Sequence, residues 1–177
     1  MQHFRVKIFA QSVAADFDLG PAIAIFHRWI QQNKLPELLI DVADYRHVPD
    51  GPGIVLMAHD AVYSLDQSKG RLGLLYTRRS MDPAETPEAR LQGAIAAARR
   101  AAALIEAEPE FAGRLRFEAR SVEVSVNDRL LTPNTDASFA QLEPVVRAVI
   151  DAEWGGGNYR LARTGAPREL LSVAVSA

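Results

Sequence analysis

Connections too short for a crossover constrain this chain more than any other feature. From Leu38 to Arg79 it reads LLIDVADYRHVPDGPGIVLMAHDAVYSLDQSKGRLGLLYTRR. β-Forming apolar residues run through the segment, broken by two turn clusters, Val48-Pro49-Asp50-Gly51-Pro52-Gly53 and Gln67-Ser68-Lys69-Gly70. That spacing predicts strand, turn, strand, turn, strand. Parallel neighbours need crossovers of about a dozen residues or more, so hairpin-length links call for an antiparallel meander over 38–79.

The turns also suggest a register. A first turn near Asp50-Gly51 sets Asp41 opposite the neighbourhood of Asp60, Val42 opposite His59 and Tyr45 opposite Leu56. Tyr45, Leu56 and Ala58 then share one face, and Val42, Val55 and Met57 the other. A second turn at Ser68-Lys69 brings His59 and Asp60 against Thr77-Arg78-Arg79. A slip of one residue would reverse every face. The run from Ile54 to Asp66 is long for one strand, so a bend or bulge is expected near Ala58-His59-Asp60-Ala61.

On either side of the meander the chain alternates strands with amphipathic helices. Residues 4–10 read as a strand. Asp16-Phe17-Asp18-Leu19-Gly20-Pro21 opens a helix whose apolar side carries Ala22, Ile23, Ile25, Phe26, Trp29 and Ile30, with His27 on its shoulder. Ser80 to Pro87 leads into the longest helix, with Thr86 as N-cap, Pro87 in the first turn and Pro109 as the stop. Leu91, Ile95, Ala98, Ala102 and Ile105 form its core-facing stripe. Leu115–Phe117 and Val122–Val126 read as two strands around a tight Ala119-Arg120 turn. A third helix carries Phe139, Leu142, Val146, Val149 and Ile150 and bends at Pro144. Gly155-Gly156-Gly157 follows that helix, as a C-terminal cap does; a phosphate loop would precede one. Strands at Tyr159–Arg163 and Leu170–Val175 close the chain.

These elements define a single α+β domain over 1–177, a largely antiparallel sheet packed with three main helices. Strand 6–10, a helix and two strands are echoed by strand 122–126, a helix and two strands, an internal pseudo-repeat in which the long helix is the connector. A chain of 177 residues can bury roughly 70% of its unfolded surface without disulfide or metal staples. There is no cysteine, which removes thiol catalysis and thiolate metal sites. The start of the chain, MQHFRVKIFAQS, has no apolar run for export or spanning, so a cytoplasmic protein with no membrane partner is expected. Net charge is −2 with no basic run, which argues against nucleic acid.

Candidate chemistry gathers on the meander. Asp41, Asp44, His47, His59 and Asp60 are metal-type ligands, but on a strand Asp41 and His47 share a face while Asp44 points away, so no metal site is assigned. Ser64 and His59 lie five residues apart with no nucleophile elbow. His59 and Asp60 could exchange protons, and Asp41, Tyr45, His47 and Arg78 could line a ligand patch beside them. Trp29-Ile30, residues 38–53, Gly73-Leu74-Leu75-Tyr76 and NDRLLTPNT (127–135) resemble an uncharacterised bacterial protein family, through most of the chain. That resemblance implies a bacterial cytoplasmic protein, with no activity, cofactor or catalytic residue attached. Two functional expectations follow. The first is a non-catalytic, oligomer-forming protein that binds a small molecule or a protein. The alternative is a small cofactor-free acid–base enzyme using His59 and Asp60. Apolar residues on both sheet faces predict a homodimer.

Overall fold

The computed structural model describes residues 3–14, 16–80 and 82–177. Met1 and Gln2 of the N-terminal segment, Ala15 ahead of the first helix and Met81 in the linker to the longest helix lie outside the described residues. Among the described residues the strands are β1 (Phe4–Val13), β2 (Leu39–Tyr45), β3 (Gly53–Ala58), β4 (Ala61–Asp66), β5 (Gly73–Arg78), β6 (Leu115–Val126), β7 (Arg160–Thr164) and β8 (Ser172–Ser176). The helices are α1 (Pro21–Gln32), α2 (Pro87–Ala107) and α3 (Asp136–Trp154). All the strands join one antiparallel sheet, ordered β2-β3-β4-β5-β1-β6-β8-β7, so the chain is α+β as its hairpin-length links require.

Alternation sorts the sheet residues into two faces. Phe4, Val6 and Ile8 of β1 join Val122, Val124 and Val126 of β6, Leu74 and Tyr76 of β5, and Val173 and Val175 of β8 in one core. The apolar stripes of all three helices close over that face, including Phe26 and Trp29, Leu91 and Ile95, and Leu142 and Val146. Thr86 caps α2 by accepting from the Ala89 N–H at 3.2 Å, and Thr135 caps α3 by accepting from the Ser138 N–H at 3.2 Å. Gly155 ends α3 at φ 70°, in the left-handed region. The Trp29 indole N–H donates to Glu108 at 2.6 Å, and Arg28 grips Glu108 and Glu110, each at 2.7 Å, fastening α1 to the end of α2. Among the described residues the opposite sheet face carries no α-helix, only the single 3-10 turn Ser68–Gly70 in the β4–β5 connection.

Several details differ from the expectations. The run 54–66 is two strands, β3 and β4, joined at His59-Asp60, rather than one bulged strand. This turn lacks glycine, yet its backbone is satisfied from both sides: the His59 N–H donates to Leu38 O at 2.9 Å, and Asp60 O accepts from the Arg79 N–H at 2.8 Å. The first turn centres on Pro49 rather than on Asp50-Gly51, which moves the β2–β3 register. Asp41 faces Met57, Val42 faces Leu56 and Tyr45 faces Gly53, so Val42 and Tyr45 exchange the faces expected for them. Residues 115–126 form one strand with two register shifts against β1, because β1 extends to Val13 and pairs along its whole length. α3 runs unbroken with Pro144 inside it; the missing N–H removes one internal bond without ending the helix. The central ladder β1–β6 is flanked outward by β5-β4 on one side and β8-β7 on the other, and the first half adds the hairpin β2–β3.

Candidate functional site

The uncovered face is not a plain solvated surface. Arg5, Lys7 and Phe9 alternate with the core residues of β1 and so point away from the helices. Lys7 stands between Leu75 of β5 and Glu123 of β6, and Arg5 between Thr77 and Ser125. Ser125 continues the second row to Ser172 and Thr164, with the two serine hydroxyls 2.8 Å apart. The β4–β5 connection, with Ser68, Lys69 and Arg71, forms one wall over this floor. The β7–β8 connection, with Gly165, Arg168 and Glu169, and the loop after β6, with Asn127 and Arg129, form the other. The result is a trough of about 750 Å³.

Local contacts hold the walls. Asn134 is 2% exposed and donates to Thr164 O at 2.9 Å and Ala166 O at 3.1 Å, tying the loop after β6 to the β7–β8 turn. Asp128 accepts from the Leu130 and Leu131 N–H groups at 3.1 and 3.0 Å, and the Arg129 guanidinium donates to Arg168 O at 3.0 Å. Lys69 reaches over the trough to Glu169 at 3.0 Å, which joins the two walls directly. That contact and the Ala166 N–H hold the Glu169 carboxyl below the usual carboxylate range. Arg71 lies over the Phe9 ring, 3.7 Å from its centroid.

The floor contains charges in three conditions. Lys7 is paired: its ammonium meets the Asp66 carboxylate, with side-chain exposures of 6% and 4%, while the Ser68 hydroxyl donates to the same oxygen. Gly73 makes this reach possible. A Cβ there would sit 2.8 Å from Lys7 Cε, so the lysine stem lies across the space a side chain would fill. Glu123 accepts only from the Thr164 hydroxyl, at 3.3 Å, and is within 4.0 Å of no cation among the described residues. Arg5 has no hydrogen-bond acceptor and no carboxylate within 4.0 Å among the described residues. Burial lowers its pKa, against the opposing pull of Asp66 and Glu123.

The residues singled out from sequence lie elsewhere. His59 Nδ1 and Asp60 Oδ1 are 2.9 Å apart, but the side chains are 69% and 52% exposed at the tip of the β3–β4 hairpin. Arg78 pairs in register with Ala61 on the helix-bearing face and binds Glu85 at 2.7 Å. Asp41 and Tyr45 stand on the opposite face at the β2 edge, and the His47 ring stacks with Tyr45 at 6.3 Å between centroids. The structure therefore joins His59 to Asp60 and Tyr45 to His47, and it does not gather the six around one cavity. The trough is lined by none of them. His27 is exposed on α1. Among the described residues no three His, Asp or Glu side chains gather as metal ligands, and no helix is long and apolar enough to cross a membrane.

Sequence reading missed Arg5, Lys7, Asp66 and Glu123. The available signal was alternation: FRVKIF and VEVSV each interleave core residues with charged or hydroxyl residues, as strands with one polar face do. Two shallower cavities lie apart from the trough. One, of about 470 Å³, lies beside Arg147 and Tyr159, and the other, of about 420 Å³, beside Arg120 and Trp154. Comparison of the chain with protein-family models, curated proteins and solved structures found no match.

Proposed function

We propose that the protein is a non-catalytic small-molecule-binding protein whose ligand lies in the trough on the uncovered sheet face. The observation that carries this reading is the floor. Interior strands place charged and hydroxyl side chains inward, beside Leu75 and Phe9, each 7% exposed, and connections far apart in sequence wall them in. A largely pre-formed concavity with a few convergent polar groups is the usual form of a ligand site. The hydroxyl and carboxylate that meet in the trough, Ser68 and Asp66, are tied up with the Lys7 ammonium in one buried ion-pair cluster, which favours binding over turnover. Native mass spectrometry of protein purified without denaturation tests it. The expected spectrum shows the chain with a small molecule that dissociates on collisional activation. A bare chain alone, under every gentle condition, would count against the proposal.

The protein is also proposed to form a homodimer through β2. Leu38, Ile40, Tyr45 and Val48 are 67%, 56%, 42% and 40% exposed, all on this edge strand or its flanks. An edge strand with apolar side chains is a template for a second strand. Sedimentation should give a dimer at micromolar concentration, and a monomer there would contradict it. The acid–base alternative is supported by the His59–Asp60 contact at 2.9 Å, and is tested by whether His59→Ala abolishes ligand retention at unchanged stability.

A further inference from the structure

Resting on the trough as the ligand site, we infer that its ligand is a small oxyanion-bearing molecule, carrying a carboxylate or phosphate group, and that Arg5 holds that group. The charges in the trough divide unequally. Asp66 neutralises Lys7 and Glu169 neutralises Lys69, each by a direct ion pair. Arg5, Arg129 and Arg168 line the same trough without a carboxylate within 4.0 Å among the described residues, and Glu123 is the one lining carboxylate without such a cation. The lining therefore presents three uncompensated guanidinium groups against one carboxylate.

Arg5 is placed to be the anchor. It lies on β1, the central strand, between Thr77 and Ser125, so its backbone is fixed by ladders on both sides. Its guanidinium offers five donors in a planar fork, matched to two oxygens of a carboxylate or phosphate. None of its nitrogens is sealed off from the trough, so its donors stay open to an oxyanion that enters there. The Ser125 hydroxyl, in the same row, can donate to a further oxygen while it accepts from the Ser172 hydroxyl. Leu75 and Phe9 give the remainder of the ligand an apolar surface. The Lys69–Glu169 bridge spans the trough, which suits a compact molecule and obstructs a polymer lying along the sheet.

The test titrates the intact protein with sodium phosphate and, separately, with sodium succinate. Calorimetry and the Arg5 side-chain NMR signal would be read at ionic strength held constant with chloride. Saturable binding of at least one probe at one site per chain is expected, with a shift of the Arg5 signal. Arg5→Gln should weaken binding by about tenfold or more, as loss of a charge-assisted contact does. Arg160→Gln, on the far edge strand, should bind as the native chain does. Phosphate without succinate identifies a phosphoryl ligand, and the reverse a carboxylate. The inference is overturned if neither probe saturates, if chloride competes as an equal, or if Arg5→Gln binds unchanged. If a neutral molecule is retained in the native spectrum and neither probe binds, the ligand-binding reading survives and the oxyanion assignment does not.

Discussion

Lys7 shows how a single side chain sets what a sheet face can be. It lies across Gly73 to reach Asp66, two strands away, and the pair is almost wholly removed from water. Breaking a buried pair from one side leaves an uncompensated charge, so Asp66→Ala should destabilise by about 3–5 kcal/mol. Replacing both partners with apolar residues should cost far less, and urea denaturation of the single and double variants measures the difference. On the other face, burial pushes Tyr76 up to about 12, with the nearby Glu37 carboxylate adding to the effect; Tyr63 is raised further by the same two causes. Above the ordinary value of 10.0 the unfolded chain releases protons that the folded chain keeps. Stability from these phenols is therefore constant below pH 10 and falls as the pH rises towards 12. For Tyr76 the interval from 10.0 to about 12 corresponds to roughly 3 kcal/mol. Alkaline unfolding followed by circular dichroism should show the fall, and Tyr76→Phe should reduce it. Arg5 and Lys7 were legible as neighbours on one face of a strand. What they meet there was not, because that depends on partners 59 and more residues away.

Among the elements, the β3–β4 hairpin carries the clearest lesson. The thirteen-residue run at 54–66 was visibly too long for one strand, but Ala58-His59-Asp60-Ala61 contains no glycine and no Asn-Gly or Asp-Gly pair to mark a two-residue turn. The turn is held by backbone bonds to Leu38 and Arg79, which are tertiary and leave no local mark. Gly53 is the opposite case. It begins β3 at φ 66°, and a Cβ there would lie 2.1 Å from Leu65 O, so both conformation and space require glycine. Gly53→Ala should therefore destabilise by about 2–4 kcal/mol, more than either cause alone. Thermal melting checks this, and an unchanged midpoint would contradict the close approach. The helix cap at Thr86 and the apolar stripes of α1 and α2 were readable, since they depend on residues within a few positions of each other.

For the whole molecule, antiparallel architecture and the helix-covered face followed from link lengths and periodicity. The trough did not, because its parts come from β1, the β4–β5 connection, the loop after β6 and the β7–β8 connection, brought together only by the strand order. The same order leaves β2 at an edge with Ile40 more than half exposed. If that edge forms the dimer, Ile40→Lys should give a folded monomer whose melting temperature no longer depends on protein concentration, as that of the native chain should; sedimentation and melting at several concentrations check it. The account stands most directly on where a ligand sits. Heteronuclear NMR, recorded while the small molecules released from natively purified protein are added back, gives that location. The predicted result is saturable shifts at the Leu75 methyls and at the Ser125 and Ser172 amides, with His59 and Asp60 unmoved. Shifts confined to His59 and Asp60, with the Leu75 methyls still, would contradict it.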